Sequence, residues 1–123
     1  MSFQYTLANL LAHNDGAVAV LFLDETGEAV EVTCSEFSPY EMKVVGAYIG
    51  IYLRQLRQTF EQTSLGVPEF LHIENDGIHL YASALPDDYY LVLVQRRPAM
   101  VAQARATLKQ ARDEIAREIF AEF

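Results

Sequence analysis

The chain has 123 residues, of which 51% are hydrophobic, with a formal net charge of −8 and a single cysteine. That length and apolar content suit one domain, 1–123, with a core that needs no disulfide. The acidic balance argues against nucleic acid, which is gripped by Lys and Arg, and no apolar stretch approaches the ~18 residues of a membrane helix. The N-terminus (Met1-Ser2-Phe3-Gln4-Tyr5) lacks the basic and then apolar segments of a secretory leader, so the protein reads as cytoplasmic, with no membrane insertion.

In chain order, a short helix is expected over about residues 2–13, with Phe3, Leu7, Leu10 and Leu11 on one face and Asn14-Asp15-Gly16 as its stop. Ala17 to Leu23 is a nearly unbroken apolar run, as in a central strand covered on both faces. Asp24-Glu25-Thr26-Gly27 forms a hairpin loop with a glycine available for positive φ. The second strand alternates, with Val30, Val32 and Cys34 to one side and Glu31 and Thr33 to the other, which places it nearer an edge. Cys34 is read as a small buried hydrophobe.

Ser38-Pro39-Tyr40-Glu41 is the strongest local signal. Ser38 caps, Pro39 suits the first helical position and Glu41 reaches back to the cap amide. The helix should run to about Thr63, with Gly66 near its C-terminal cap. Pro68 opens the third strand, and Phe70 to Glu74 pairs with Ile78 to Ser83 through a turn at Asp76-Gly77. That register sets Glu74 opposite His79 and His72 opposite Tyr81, leaving Leu71, Ile73, Ile78, Leu80 and Ala82 on a drier face. After Pro86-Asp87-Asp88, Tyr89 to Val94 is a second central strand. Pro98 starts a last helix whose Val101, Ala104, Leu108, Ala111, Ile115 and Ile119 form one stripe.

The middle helix carries a surplus. Met42, Val45, Ile49, Tyr52, Leu53, Leu56 and Phe60 form one broad face that can cover a sheet. Val44, Ala47, Tyr48 and Ile51 form a second apolar patch on another side, followed by Gln55 and Gln58. A helix apolar on two sides is buried on two sides, and a domain this small offers little to bury the second against, so another chain is expected there. Gly46 and Gly50, each costing about 1 kcal/mol of helix stability relative to Ala, are read as places where a second backbone approaches closely. The third strand also has the character of an edge that is paired or protected. Charge is uneven: residues 1–42 hold seven carboxylates and no Lys or Arg, and all nine basic residues lie from Lys43 onward. Solvated surface is the plain reading, and a partner meeting an acidic end and a basic helix is the sharper one.

With these elements in place the sequence resembles the roadblock / dynein light chain family, which includes MglB-type regulators of Ras-like GTPases. The likeness covers nearly the whole chain. It lies in the element order, the first hairpin (Ala17–Asp24, Gly27, Val30), the long small-residue helix after Glu41, the run from Leu71 to Tyr81, and Tyr90-Leu91-Val92-Leu93-Val94. The resemblance implies an α/β (α+β) fold, a profilin-like sandwich with a five-stranded antiparallel sheet of order 2-1-5-4-3, helices on both faces and element order α-β-β-α-β-β-β-α. It implies a homodimer or paralogous heterodimer built by pairing third strands and packing second helices, with a Ras-like small GTPase as partner. The expected dimer or partner surface is Val44, Gly46, Ala47, Tyr48, Gly50, Ile51, Arg54, Gln55 and Gln58, with Phe70 and His72 from the third strand.

Chemistry is not expected. No Gly-rich loop ends in Gly-Lys-Ser/Thr, and there is no Gly-x-Ser-x-Gly elbow or Cys/His motif. His72 and His79 share a sheet face, but Glu74 is their one nearby third ligand, so a Glu74–His79 contact is expected in place of a metal. Asp24-Glu25 and Asp87-Asp88 lie in turns and are read as solvated. Arg54, Arg57, Arg96 and Arg97 could each offer a guanidinium to a GTPase, and nothing singles one out. No catalytic residue, cofactor or metal is assigned. The leading class is a non-catalytic GTPase-binding regulator, followed by a scaffold subunit without effect on hydrolysis, and then a small-ligand sensor.

Overall fold

The computed structural model describes residues 3–119, so the expected helix start at Ser2 lies outside it. Its elements are α1 (Phe3–Ala12), β1 (Ala17–Leu23), β2 (Ala29–Cys34), α2 (Pro39–Gln62), β3 (Phe70–Glu74), β4 (Ile78–Ala84), a 3-10 turn (Pro86–Asp88), β5 (Tyr90–Arg96) and α3 (Val101–Ile119). The five strands form one antiparallel sheet of order β2-β1-β5-β4-β3. The two apolar runs, β1 and β5, are buried on both faces as expected, and β2 and β3 are the edges.

Two layers of core sandwich the sheet. On one face Leu7 and Leu10 of α1 and Ala104, Leu108, Ala111 and Ile115 of α3 pack on Phe22, Tyr81, Leu91 and Leu93. On the other, Met42, Ile49 and Leu53 of α2 pack on Val18, Leu21, Leu23, Val92 and Val94. Local signals account for the ends of the elements. The Ser38–Glu41 capping box forms in both directions, at 3.1 Å each way. Buried Asn14 closes α1 by donating to the Leu10 carbonyl and bridges to Thr107 Oγ1, both at 2.9 Å. The β3–β4 register is as expected, Glu74 opposite His79 and His72 opposite Tyr81. The turn is held by Asn75 Oδ1, which accepts from the Gly77 and Ile78 amides at 2.9 and 2.8 Å.

Several expectations need correcting. An irregularity in the β1–β2 pairing sets Leu23 opposite Ala29 and Phe22 opposite Glu31, so Val30 is the extra residue and faces solvent while Ala29 packs inward. Cys34 is half-buried. Helix α2 ends in a Schellman arrangement whose left-handed residue is Ser64 (φ 59°), its amide bonded to Glu61 O and that of Leu65 to Phe60 O, and Gly66 follows two residues on, also at positive φ (89°). Helix α3 begins at Val101 rather than Pro98. The face expected to be drier is so only at Ala82, which is buried: Leu71, Ile78 and Leu80 are half-buried and Ile73 is exposed, whereas on the opposite face His79, Tyr81 and Ser83 are buried, His72 is half-buried and Glu74 is exposed. The cause is geometric. Five strands span roughly 19 Å, while one helix is about 10 Å wide. Helix α2 packs on β1 and β2 and leaves the far side of that face uncovered.

Candidate interaction surface

Along α2 the 100° advance per residue separates two sides. Met42, Gly46, Ile49, Gly50 and Leu53 point to the sheet and are buried. Val44, Tyr48 and Ile51 point away and are 40%, 59% and 39% exposed, and Ala47, Gln55 and Gln58 between them are exposed too. The protomer therefore does not cover the surplus patch. Tyr52, expected on the sheet-facing side, is also exposed, because it sits about a quarter-turn from the line through Met42 and Leu53.

The glycines serve the protomer's own fold. A Cβ on Gly46 would lie 2.9 Å from Leu23 Cδ2, and one on Gly50 would lie 2.6 Å from the Cα of Gly27. Gly46 is pressed by the Leu21 and Leu23 side chains and Gly50 by the Gly27 backbone, all of the first hairpin, so both residues leave the expected outward surface. Gly27 itself has φ 88°, and the loop carrying it is tied by Asp24. Asp24 Oδ1 accepts from Thr26 N (2.9 Å), Thr26 Oγ1 (2.7 Å) and Glu28 N (3.0 Å). Burial works to raise the Asp24 pKa, but these bonds together outweigh it and hold the carboxyl below its ordinary value. Asp24 is thus a structural knot rather than a solvated turn residue, and Asp88 is likewise engaged, in an ion pair with Arg57.

The other arginines are also occupied. Arg54 donates to the Glu25 carbonyl at 3.2 Å, Arg96 pairs with Glu36 at 2.7 Å, and Arg97 lies 3.5 Å from Glu74. Phe70 and His72 fall on the opposite face of the sheet from α2. Phe70 packs on the α3-side core beneath the Arg105 guanidinium, which is 4.4 Å from its ring, and His72 stacks on Tyr81 at 4.7 Å. The β3 residues that share a face with α2 are Leu71 and Ile73, the latter 51% exposed. Sequence reasoning missed them as surface residues, although strict alternation from Phe70 separates the two sets. The free backbone edge of β3 adjoins this region. On the α3 side, a groove of about 700 Å³ lies between Phe70, Leu85 and Leu108, with Arg105, Lys109 and Arg112 along it.

The histidines depart from expectation. His72 Nε2 and His79 Nδ1 are 2.9 Å apart, in direct hydrogen-bond contact, and Glu74 turns to Arg97 instead of His79. Burial pushes the Tyr81 phenol above its ordinary pKa, and the Glu74 charge adds to this. The hydroxyl accordingly stays protonated and donates to Gln95 Oε1 at 2.8 Å. No helix among the described residues is long and apolar enough to cross a membrane.

No protein-family model and no curated protein matches the sequence. Solved structures do match. A roadblock/LC7 domain from Streptomyces avermitilis superposes with a TM-score of 0.85 at 14% identity, covering 95% of this chain and 97% of that one. Myxococcus xanthus MglB gives a TM-score of 0.85 at 15% identity with both chains fully covered. MglC from Myxococcus xanthus gives 0.71 at 19% identity, covering 97% of this chain and all of the other. At such identities what is shared is the path of the chain: the strand order, the helix placement and nearly the full length on both sides identify this protein's fold as that of roadblock/LC7 domains.

Proposed function

We propose that this protein is a non-catalytic dimeric module that binds and regulates a Ras-like small GTPase. The observation that carries the dimer is the outward apolar side of α2, Val44, Ala47, Tyr48 and Ile51, left exposed beside the half-bare sheet face at Leu71 and Ile73. A stripe of this kind on a chain of net charge −8 is a surface made for another apolar surface. A second copy meets it by packing α2 on α2 while the free edges of β3 pair. A structural neighbour, MglB in a tetrameric arrangement, supports self-association of this fold. The GTPase is the partner that the resemblance to roadblock proteins implies, and the likeness to MglB and MglC structures supports it.

The test is to mix the purified protein with Ras-like GTPases from its own source and to follow complex formation and GTP turnover together. A complex whose formation depends on the bound nucleotide, with altered turnover, is the expected result. The same complex with GDP- and GTP-loaded partner at unchanged turnover would make the protein a scaffold subunit. No complex with any such GTPase would end the reading.

A further inference from the structure

We propose that His72, Glu74 and His79 form a binding site for a zinc-class divalent ion on the β3–β4 ladder. Their ligand atoms all lie within 4.8 Å of one another, and they come from two adjacent strands whose register is set by the Asn75 turn. His72 Nε2 and His79 Nδ1 face each other at 2.9 Å, in hydrogen-bond contact. Two nitrogens on one tetrahedral zinc, each about 2.0–2.1 Å from it, are roughly 3.3 Å apart. The ion enters when the pair opens by a few tenths of an ångström, the rings turn toward it, and the proton between them moves to the donor ring's other nitrogen, leaving both facing nitrogens as ligands.

The surroundings hold the rings in place. Tyr81 stacks against His72 at 4.7 Å and lies nearly parallel to His79 at 6.0 Å. Tyr81 is itself fixed by Gln95, whose amide donates to the Asp15 carbonyl at 2.8 Å. His79 is 5% exposed, so its ring cannot wander. Glu74 is exposed and its Oε2 lies 3.5 Å from Arg97, so with Oε1 on the metal Arg97 is the outer partner that orients the carboxylate. Two imidazoles and one carboxylate suit zinc and its borderline neighbours, whereas magnesium and calcium require oxygen ligands. Water takes the fourth position on the Glu74 side. The site is argued from β3–β4 side chains on the face of the sheet opposite α2, so it does not rest on the proposed GTPase regulation.

Zinc titrated calorimetrically into the untagged, chelator-treated full chain should bind at one ion per protomer and raise the melting temperature. Cobalt should give the absorption bands of a tetrahedral site, and excess magnesium should not compete. His72→Phe keeps the ring stack while removing both nitrogens, and should weaken zinc binding more than about 100-fold, beyond the usual loss from an outer-shell change. Glu74→Gln, at an exposed position where folding is not at stake, should weaken it by at least 10-fold. His13→Gln, which changes the third histidine far along the chain, should have no effect. Substoichiometric binding, unchanged affinity in His72→Phe or Glu74→Gln, or loss of binding in His13→Gln would overturn the proposal.

Discussion

The two sides of α2 have opposite relations to the rest of the molecule. On the inner side, side chains are trimmed to nothing at Gly46 and Gly50 so that Leu21, Leu23 and the Gly27 loop can press against the helix. On the outer side, large apolar groups stand in water at Val44, Tyr48 and Ile51. Gly50 and Ile51 are adjacent in sequence, yet one is required by the chain's own fold and the other stands exposed. Hydrophobicity alone does not distinguish the sides of such a helix. Contact with the rest of the same chain does.

The largest effect is expected on the inner side. Gly50→Leu drives a side chain into the Gly27 backbone and should cost about 3 kcal/mol, the upper end of overpacking losses. A lowered urea midpoint checks this, and an unchanged midpoint would break the distinction between the two sides. Ile51→Asp should leave protomer unfolding within about 0.5 kcal/mol but weaken self-association by about 2 kcal/mol, roughly 30-fold in Kd. Sedimentation at tens of micromolar measures it, and wild-type protein found monomeric there would remove the outer side's assigned role.

A smaller effect sharpens the inner side through the loop that carries Gly27. Asp24→Asn weakens the three bonds to Oδ1 and should cost about 1 kcal/mol at neutral pH. Because the folded Asp24 pKa is lowered, its stabilisation is complete above the unfolded value near 3.8 and is lost as pH falls through the lower folded value. Acid titration of wild type should show this loss, and the variant should lack that contribution. Ser64→Gly, at the C-terminal end of α2 and on neither side, should add about 0.5–1 kcal/mol by relieving the left-handed serine. Thermal unfolding provides the measure.

Much of the fold is legible because its signals are local or strictly periodic. The Ser38–Glu41 box, the Asn75 turn and the uninterrupted apolar runs of β1 and β5 each state their structure within a few residues. The surplus of α2 is legible too, since helical periodicity alone puts Val44, Ala47, Tyr48 and Ile51 off the sheet-facing side. What is not legible is which neighbour each flank meets. Gly46 and Gly50 look alike whether what approaches is their own hairpin or another chain. Val30 is misplaced by one residue because its bulge depends on how β2 pairs with β1. His72 and Glu74 have the right strand and face, but their final partners, His79 and Arg97, depend on rotamers and on the β5–α3 connection.

The amino-acid order by itself determined the elements, the β3–β4 register and the existence of an apolar excess on α2, because pattern period and turn chemistry act over a few residues. Only the tertiary structure decided that a single helix leaves part of one sheet face bare, that the glycines serve the first hairpin, and that two histidines meet. Those outcomes depend on the width of a helix against that of a five-stranded sheet, and on which distant segments the strand order brings together.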